Sequence, residues 1–449
     1  MDFAVNVAFP AITAAFELDV QSIRWVVICY VITYASLMLA FGKLGDIVGY
    51  CRVFHAGLLT GTLAFAACGL APTYEWLLAA RMLQGIATAL VLSCAPALVV
   101  AVCGEQRRTW ALSRYAMMTA LAGILGPIIG GVGILWLGWA GVFWFRLPVT
   151  LLALLLLARL PETSVADSTQ RRFDYVSAML LALGLALLLL APGLWSNATH
   201  RLLPLEAGIA GIAGMTLLVI FAMRERRDTE PLLPPAAIRD PAMLAANIFS
   251  VMVNFTGFAI PLLVPYYLVR IGGYSAVTMG LLLAMSTAGV LAASTVTPRV
   301  VRALGQRRAA LLGAALVALA QGVIALWPLT PPLAVLVAGL LLHGLGLGLF
   351  QVSYTDLIVA TLPQKNRGIA GSITMLTRTI GVIIAAVILS SAVQALEARH
   401  LQAGHTATEA FHAAFSSVFQ YSGSLLAGFL ILAAVGLAIW HRKHTRPSQ

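Results

Sequence analysis

The chain has 449 residues, of which 60% are hydrophobic and only 10% are Asp, Glu, Lys or Arg, with a formal net charge of +11. Water-soluble domains carry about a quarter charged residues, so this composition excludes a string of soluble domains. The apolar residues recur in runs of helix length from end to end. Lipid offers no water to an unpaired backbone group, so each run is expected to be a helix, and the fold class is an all-α polytopic membrane protein.

Allowing about 20 residues per span predicts fourteen helices. They fall at 1–16, 22–41, 53–71, 76–98, 112–135, 142–159, 175–193, 204–223, 243–268, 277–297, 309–327, 332–353, 370–394 and 418–440. The first span carries Asp2 and Asn6. If it ends near Phe16, Asp2 lies about 21 Å down the helix at about 1.5 Å per residue, well inside a core about 30 Å thick. Intramembrane carboxylates mark ion pathways, so Asp2 is a candidate proton carrier. An α-amine one residue away would be costly in lipid, and a native start further upstream is expected.

Between the second and third spans stands "GKLGDIVGYCR", residues 42–52. Its glycines allow a tight turn and close helix approach. A lone acid in a short inner loop has little topological role. Gly42, Asp46, Gly49 and Arg52 are therefore read as a conformational latch, the alternative being an ordinary polar turn. In the fourth span, Arg81 lies about five residues from the end, where a charge costs at least about 2.5 kcal/mol. Gln84 and Gly85 follow it. The reading is a cavity-facing arginine that tunes proton release; the alternative is a side chain snorkelling outward. Gly126, Pro127, Gly130 and Gly131 in the fifth span suggest a kinked helix pressed against a partner.

Further along, Arg146 in the sixth span is a cavity candidate for anionic or zwitterionic substrates, or an interfacial anchor. His343 and Arg378 are two more cavity candidates; the histidine is either a proton carrier or a neutral packing residue. Asp356 closes the twelfth span as a second proton site or a solvated helix-end acid. His405, Glu409 and His412 share one helical face, read as an amphipathic turn rather than a metal site. The five cysteines show no C-x-x-C spacing and read as packing residues. No phosphate-binding loop of the ATP-driven kind is present. No metal, cofactor or nucleic-acid partner is expected.

Placing the 42–52 loop in the cytoplasm and alternating from there puts 21 of the 28 Lys and Arg residues on inner segments and four (Arg24, Arg201, Arg270 and Arg399) on outer ones. This is a strong positive-inside bias, and both termini come out cytoplasmic. The +11 charge then faces the anionic inner leaflet.

The first spans also have an echo. A shift of 256 lays Gly49 on Gly305 and Arg52 on Arg308; one of 259 lays "RMLQG" (81–85) on "LLLHG" (340–344); one of 255 lays "GPIIGG" on "GVIIAA". The pattern is a duplication of six spans, with two helices inserted between the copies: 1–160, 161–240 and 241–449. Repeated halves are a transporter architecture.

Five motifs occur in order. They are "DFAVNVAFP" in the first span, Gly42-x-Leu44-x-Asp46-x-x-Gly49 in the first inner loop, Arg81-x-x-Gln84-Gly85, Gly126-Pro127-x-x-Gly130-Gly131, and Arg378-x-x-Gly381. In these the chain resembles the major facilitator superfamily, in particular its fourteen-helix drug:proton antiporter branch. It departs from the pattern at Tyr50 and Cys51, where basic residues are usual, and at Arg146, which replaces an asparagine. The resemblance implies a proton-coupled secondary transporter, not an enzyme, that exports amphipathic small molecules by alternating access. It implies a monomer in the inner membrane, proton coupling through Asp2, Arg81 and Asp356, and a fifth-helix motif that closes the outward leak path. Two rival readings are a dedicated exporter of one metabolite or organic anion, and a non-transporting receptor on a transporter fold.

Overall fold

Sixteen α-helices carry the residues described by the computed structural model, which are 3–19, 22–157, 174–196, 205–225, 241–361 and 368–444. In chain order they are α1 (Phe3–Ala15), α2 (Arg24–Val48), α3 (Tyr50–Gly69), α4 (Tyr74–Cys103), α5 (Arg108–Leu137), α6 (Gly141–Trp144), α7 (Leu147–Leu157), α8 (Tyr175–Ser196) and α9 (Leu205–Glu225). There follow α10 (Pro241–Gly257), α11 (Ala259–Arg270), α12 (Ala276–Leu304), α13 (Gln306–Ala325), α14 (Leu333–Thr361), α15 (Gly368–Gln402) and α16 (Ala407–His444). Among the described residues ten helical stretches are long and apolar enough to cross a membrane, and Ala4–Ala15, Arg24–Met38 and Tyr175–Ala191 are shorter apolar helices. The expected sixth span is divided between α6 and α7, whereas the expected ninth runs on through Phe258, helical at φ −73° and ψ −12°, so that α10 and α11 form one apolar stretch, Met243–Arg270.

Two compact units emerge. The first holds 1–237 together with 274–281 and 383–391; the second holds 238–273, 282–382 and 392–449.

In the first unit, the expected loop 42–52 is almost entirely helical. α2 runs to Val48, α3 begins at Tyr50, and the reversal falls on Gly49 alone, with φ 104° and ψ 133°. A side chain in that region costs about 1–3 kcal/mol, which is why glycine stands there. α3 then closes on α4: a Cβ added at Gly57 would lie 2.9 Å from both Leu90 Cβ and Val91 Cγ2. The α8–α9 hairpin packs through Gly184 and Gly214, and it is tied at one end by Asp174. That carboxylate accepts from the Ser177 hydroxyl at 2.6 Å and from Arg224 Nε at 3.0 Å. These two contacts, the hydroxyl first, hold its pKa well below the usual carboxylate range.

The second unit repeats the first device. Gly305, between α12 and α13, has φ 78° and ψ 160°, at the position a 256-residue shift assigns to Gly49. Gly313, the counterpart of Gly57, packs against Phe350, with an added Cβ 2.9 Å from Phe350 Cα; Phe350 in turn is Val91 shifted by 259. The last helix starts at Ala407, eleven residues before the expected span. Phe411, Phe415 and Phe419 recur every fourth residue and are buried, with Phe415 stacked on Tyr267 at 4.6 Å. That apolar stripe extends the helix beyond the start suggested by average hydropathy. The start is closed by a capping box. Glu409 Oε2 accepts from the Thr406 N–H at 3.0 Å, and the Thr406 hydroxyl oxygen accepts from the Glu409 N–H at 3.4 Å.

Candidate functional site

The first unit's polar centre is where α4 crosses α2. Gly85 makes the crossing close: an added Cβ would lie 2.8 Å from the Tyr30 carbonyl oxygen and 2.6 Å from Thr33 Cβ. One helical turn earlier on the same face, Arg81 is 1% exposed and Gln84 3%. Arg81 Nε donates to the Val26 carbonyl at 3.0 Å, and Nη1 donates to Gln84 Oε1 at 2.6 Å. The guanidinium carbon lies 4.3 Å from the Tyr30 ring centre, a cation–π contact worth about 0.5–2 kcal/mol. The side chain therefore points into the protein and does not snorkel to the surface. Charge-assisted hydrogen bonds and a π face hold the guanidinium in a fixed pose within the span.

Beside it, α5 carries Gly126, half-buried, and Pro127, buried within the helix. Gly130 faces α1, where a Cβ would come 2.9 Å from the Ala4 carbonyl oxygen. Gly131 faces the first turn of α12, where it would come 3.0 Å from Val277 Cα. Gly280 on α12 faces the Pro127 carbonyl in return. The motif thus presses α5 against two helices at once. Asn6 is buried on α1, two residues after Ala4. Asp2 lies outside the described residues.

The latch residues fall on helices rather than a loop. Gly42 makes ordinary contact with Ser93 Cβ at 3.9 Å, Gly49 is the one-residue reversal, and Arg52 is exposed on the first turn of α3. The Asp46 side chain lies outside the described residues, although its backbone belongs to α2. Arg146, at the joint of α6 and α7, is half-buried with its guanidinium carbon 5.4 Å from the Phe65 ring centre.

Arg24, assigned above to an outer loop, is instead the first residue of α2 and fully buried. Its Nη1 donates to Ser391 Oγ at 3.1 Å, in the 383–391 stretch that α15 contributes to the first unit. A buried guanidinium with a fixed acceptor is a structural tie.

In the second unit, His343 is 2% exposed. Its Nδ1 lies 2.9 Å from Ser286 Oγ, and its Nε2 is buried without a hydrogen-bond partner. Asp356 is exposed and accepts from Gln306 Nε2 at 2.8 Å, tying the end of α14 to the start of α13. Arg378 is half-buried on α15. The sequence reading missed a neutral network beside it. Tyr354 donates to Asn247 Oδ1 at 2.6 Å, its hydroxyl lies 3.3 Å from Thr377 Oγ1, and Thr377 lies 3.0 Å from Ser250 Oγ. Asn254 Nδ2 donates to the Ser250 carbonyl at 2.8 Å. The available signal was Asn247, Ser250 and Asn254 at i, i+3 and i+7, a polar stripe in an apolar span.

A sequence profile described as Major Facilitator Superfamily matches residues 1–386. Among similar proteins, the riboflavin transporter RibZ of Clostridioides difficile (strain 630) is 24% identical over 387 residues, covering 86% of this chain and 83% of that protein. The tetracenomycin C resistance and export protein of Streptomyces glaucescens is 28% identical over 383 residues, covering 84% and 70%. Among solved structures, the nucleoside transporter NupG superposes with a TM-score of 0.69 at 12% identity, covering 96% of this chain and 95% of that one. Match length, motifs and fold agree: the chain is a membrane transporter and belongs to the Major Facilitator Superfamily.

Proposed function

We propose that the protein is a proton-coupled exporter of amphipathic small molecules, working by alternating access with two six-helix halves and two inserted helices, fourteen spans in all. The observation that carries the export reading is the double packing of α5, through Gly130 onto Ala4 and through Gly131 onto the start of α12. Glycines there remove the side chains that would hold these helices apart, which suits a seal on the outward path. Relatives named for antibiotic resistance and export support the direction of transport.

In this reading Asp2 takes up the proton. The fixed guanidinium of Arg81 favours the charged form of a carboxylate brought near it, so release follows when the halves rock and the pair reforms. Gly42, Asp46, Gly49 and Arg52 latch one state. Asn6, Gln84, Arg146 and Arg378 are cavity residues; His343, also a cavity candidate from the sequence, is enclosed beside Ser286 and does not meet substrate. Asp356, exposed and tied to Gln306, is the weaker proton site. The protein works as a monomer in the inner membrane, with both termini cytoplasmic. The test is transport in everted vesicles against cationic, anionic and neutral compounds, with and without an uncoupler. Uptake that requires the proton gradient supports the reading, and uptake indifferent to it defeats it.

A second reading, a dedicated exporter of one neutral or anionic metabolite, is favoured by the buried charges. Among the described residues, Arg24 and Arg81 are buried and no Asp or Glu is. The same panel separates the two readings by the breadth of compounds transported.

A further inference from the structure

The α2–α4 crossing has a counterpart. Under the offsets found in the sequence, Tyr30 and Thr33 correspond to Ser286 and Gly289, and Gln84-Gly85 to His343-Gly344. The structure brings these same positions together. Gly344 faces the Ser286 carbonyl, and a Cβ there would also lie 3.0 Å from Gly289 Cα. At the first crossing Gln84 completes the arginine site. At the second, His343 stands in its place, with Ser286 in place of Tyr30.

His343 is not satisfied as Gln84 is. Its Nδ1 is engaged by the Ser286 hydroxyl at 2.9 Å. Its Nε2 is fully enclosed and makes no hydrogen bond. Opposite that atom is Gly257, where an added Cβ would lie 3.4 Å from Nε2. Gly257 lies where α10 passes into α11 through Phe258, whose backbone stays helical and bonded to Asn254 and Leu262. An unpaired polar atom in an apolar span is costly. A ring nitrogen left without a hydrogen-bond partner across from a glycine has room for a proton gained when the helices around it shift. The groups facing the ring are neutral: Ser286 on α12 and Gly257 on α10.

We infer that His343 is a second proton-binding residue of the transport cycle. It serves the second half at the crossing where Arg81 and Gln84 serve the first. In the tautomer this requires, Nδ1–H donates to the Ser286 hydroxyl oxygen, so that Nε2 binds the proton, and Gly257 leaves the room for it. The inference rests on the proton-coupled reading above. No charge accumulates without a path: the proton enters Nε2 from the outer side in one state and leaves inward in the other.

The test compares wild type, His343→Gln and Ser286→Ala in proteoliposomes. Two quantities are read, gradient-driven transport and substrate exchange at equal pH on both sides, which needs no net proton movement. His343→Gln should lower gradient-driven transport at least tenfold while leaving exchange within twofold. Ser286→Ala keeps the imidazole but removes the partner of Nδ1, so it should move the midpoint of the pH–rate profile by half a unit or more. Wild-type rates and an unchanged profile in both variants would overturn the assignment. So would equal loss of exchange and driven transport in a folded His343→Gln, which would make His343 a packing residue. Uncoupler-insensitive transport by the wild type would instead defeat the proton-coupled reading itself.

Discussion

At the α2–α4 crossing a buried cation has several partners: a backbone carbonyl, an amide oxygen and a tyrosine face. At the α12–α14 crossing the same close approach of helices holds a histidine with one nitrogen bonded and the other bare. Glycines set the backbone in both places, Gly85 in one and Gly344 with Gly289 in the other. A shared scaffold therefore carries two chemistries. The duplicated part is the helix contact, and the polar side chains mounted on it have diverged. An arginine stands at the crossing in the first unit, and a histidine at the one in the second.

The largest effect expected from breaking this comparison is at Arg81. Arg81→Ala removes hydrogen bonds of a charged group, each worth about 1.5–3 kcal/mol, and should lower gradient-driven export tenfold or more while the protein still inserts. Arg81→Lys should keep part of the activity, since the charge survives but the fork that reaches both Val26 and Gln84 does not. Equilibrium binding of substrate in detergent should persist in both, which separates coupling from recognition.

Next in size are the crossings themselves. Gly85→Val and Gly344→Val each force a side chain onto a backbone at contact distance. Overpacking of this kind costs about 1–3 kcal/mol or more. Both variants should unfold in detergent at lower temperature than wild type, by similar amounts if the two crossings are equivalent. A large drop for one and none for the other would end the argument from equivalence. Gly49→Ala and Gly305→Ala probe the paired reversals in the same way, with about 1–3 kcal/mol expected for each.

Much of this equivalence was legible in the sequence. Gly49 with Gly305, and "RMLQG" with "LLLHG", already carried the duplication, because a glycine demanded by backbone geometry keeps its place. What could not be read was which way each side chain turns. In a chain that is 60% hydrophobic, the apolar face pattern is nearly uniform, since lipid and protein interior look alike to a leucine. Thus Arg24 counted as an outer charge, and its guanidinium is buried against Ser391; Asp356, open between a proton site and a solvated helix-end acid, is exposed beside Gln306. The 42–52 segment read as a loop because it is polar and glycine-rich, yet a single glycine suffices to reverse the chain. The tie between Ser286 and His343 joins residues 57 apart in sequence, and only the helix rotations bring them together.

The smallest effect lies outside both crossings. Asp174 is held below the usual carboxylate range by Ser177 and Arg224, so its folded-state pKa lies under the unfolded value. Its contribution is complete above about pH 4, the unfolded value for Asp, and fades as the pH falls from there through the folded value. Because Arg224 is 52% exposed, the ion pair should be worth about 0.2–1 kcal/mol. Asp174→Asn should lower thermal stability slightly at pH 7, and the gap to wild type should close on strong acidification. A gap that widens in acid would contradict the sign.

The central claim is that proton movement powers export, and its most direct measurement is made in everted vesicles with an imposed pH gradient, interior acid. A compound panel that includes riboflavin as a neutral fluorescent member is followed before and after the gradient is collapsed. The account predicts that at least one compound accumulates inside only while the gradient stands, and that Arg81→Ala vesicles with equal protein content fail to accumulate it. Accumulation that survives the collapse, or that proceeds equally with Arg81→Ala, would contradict it.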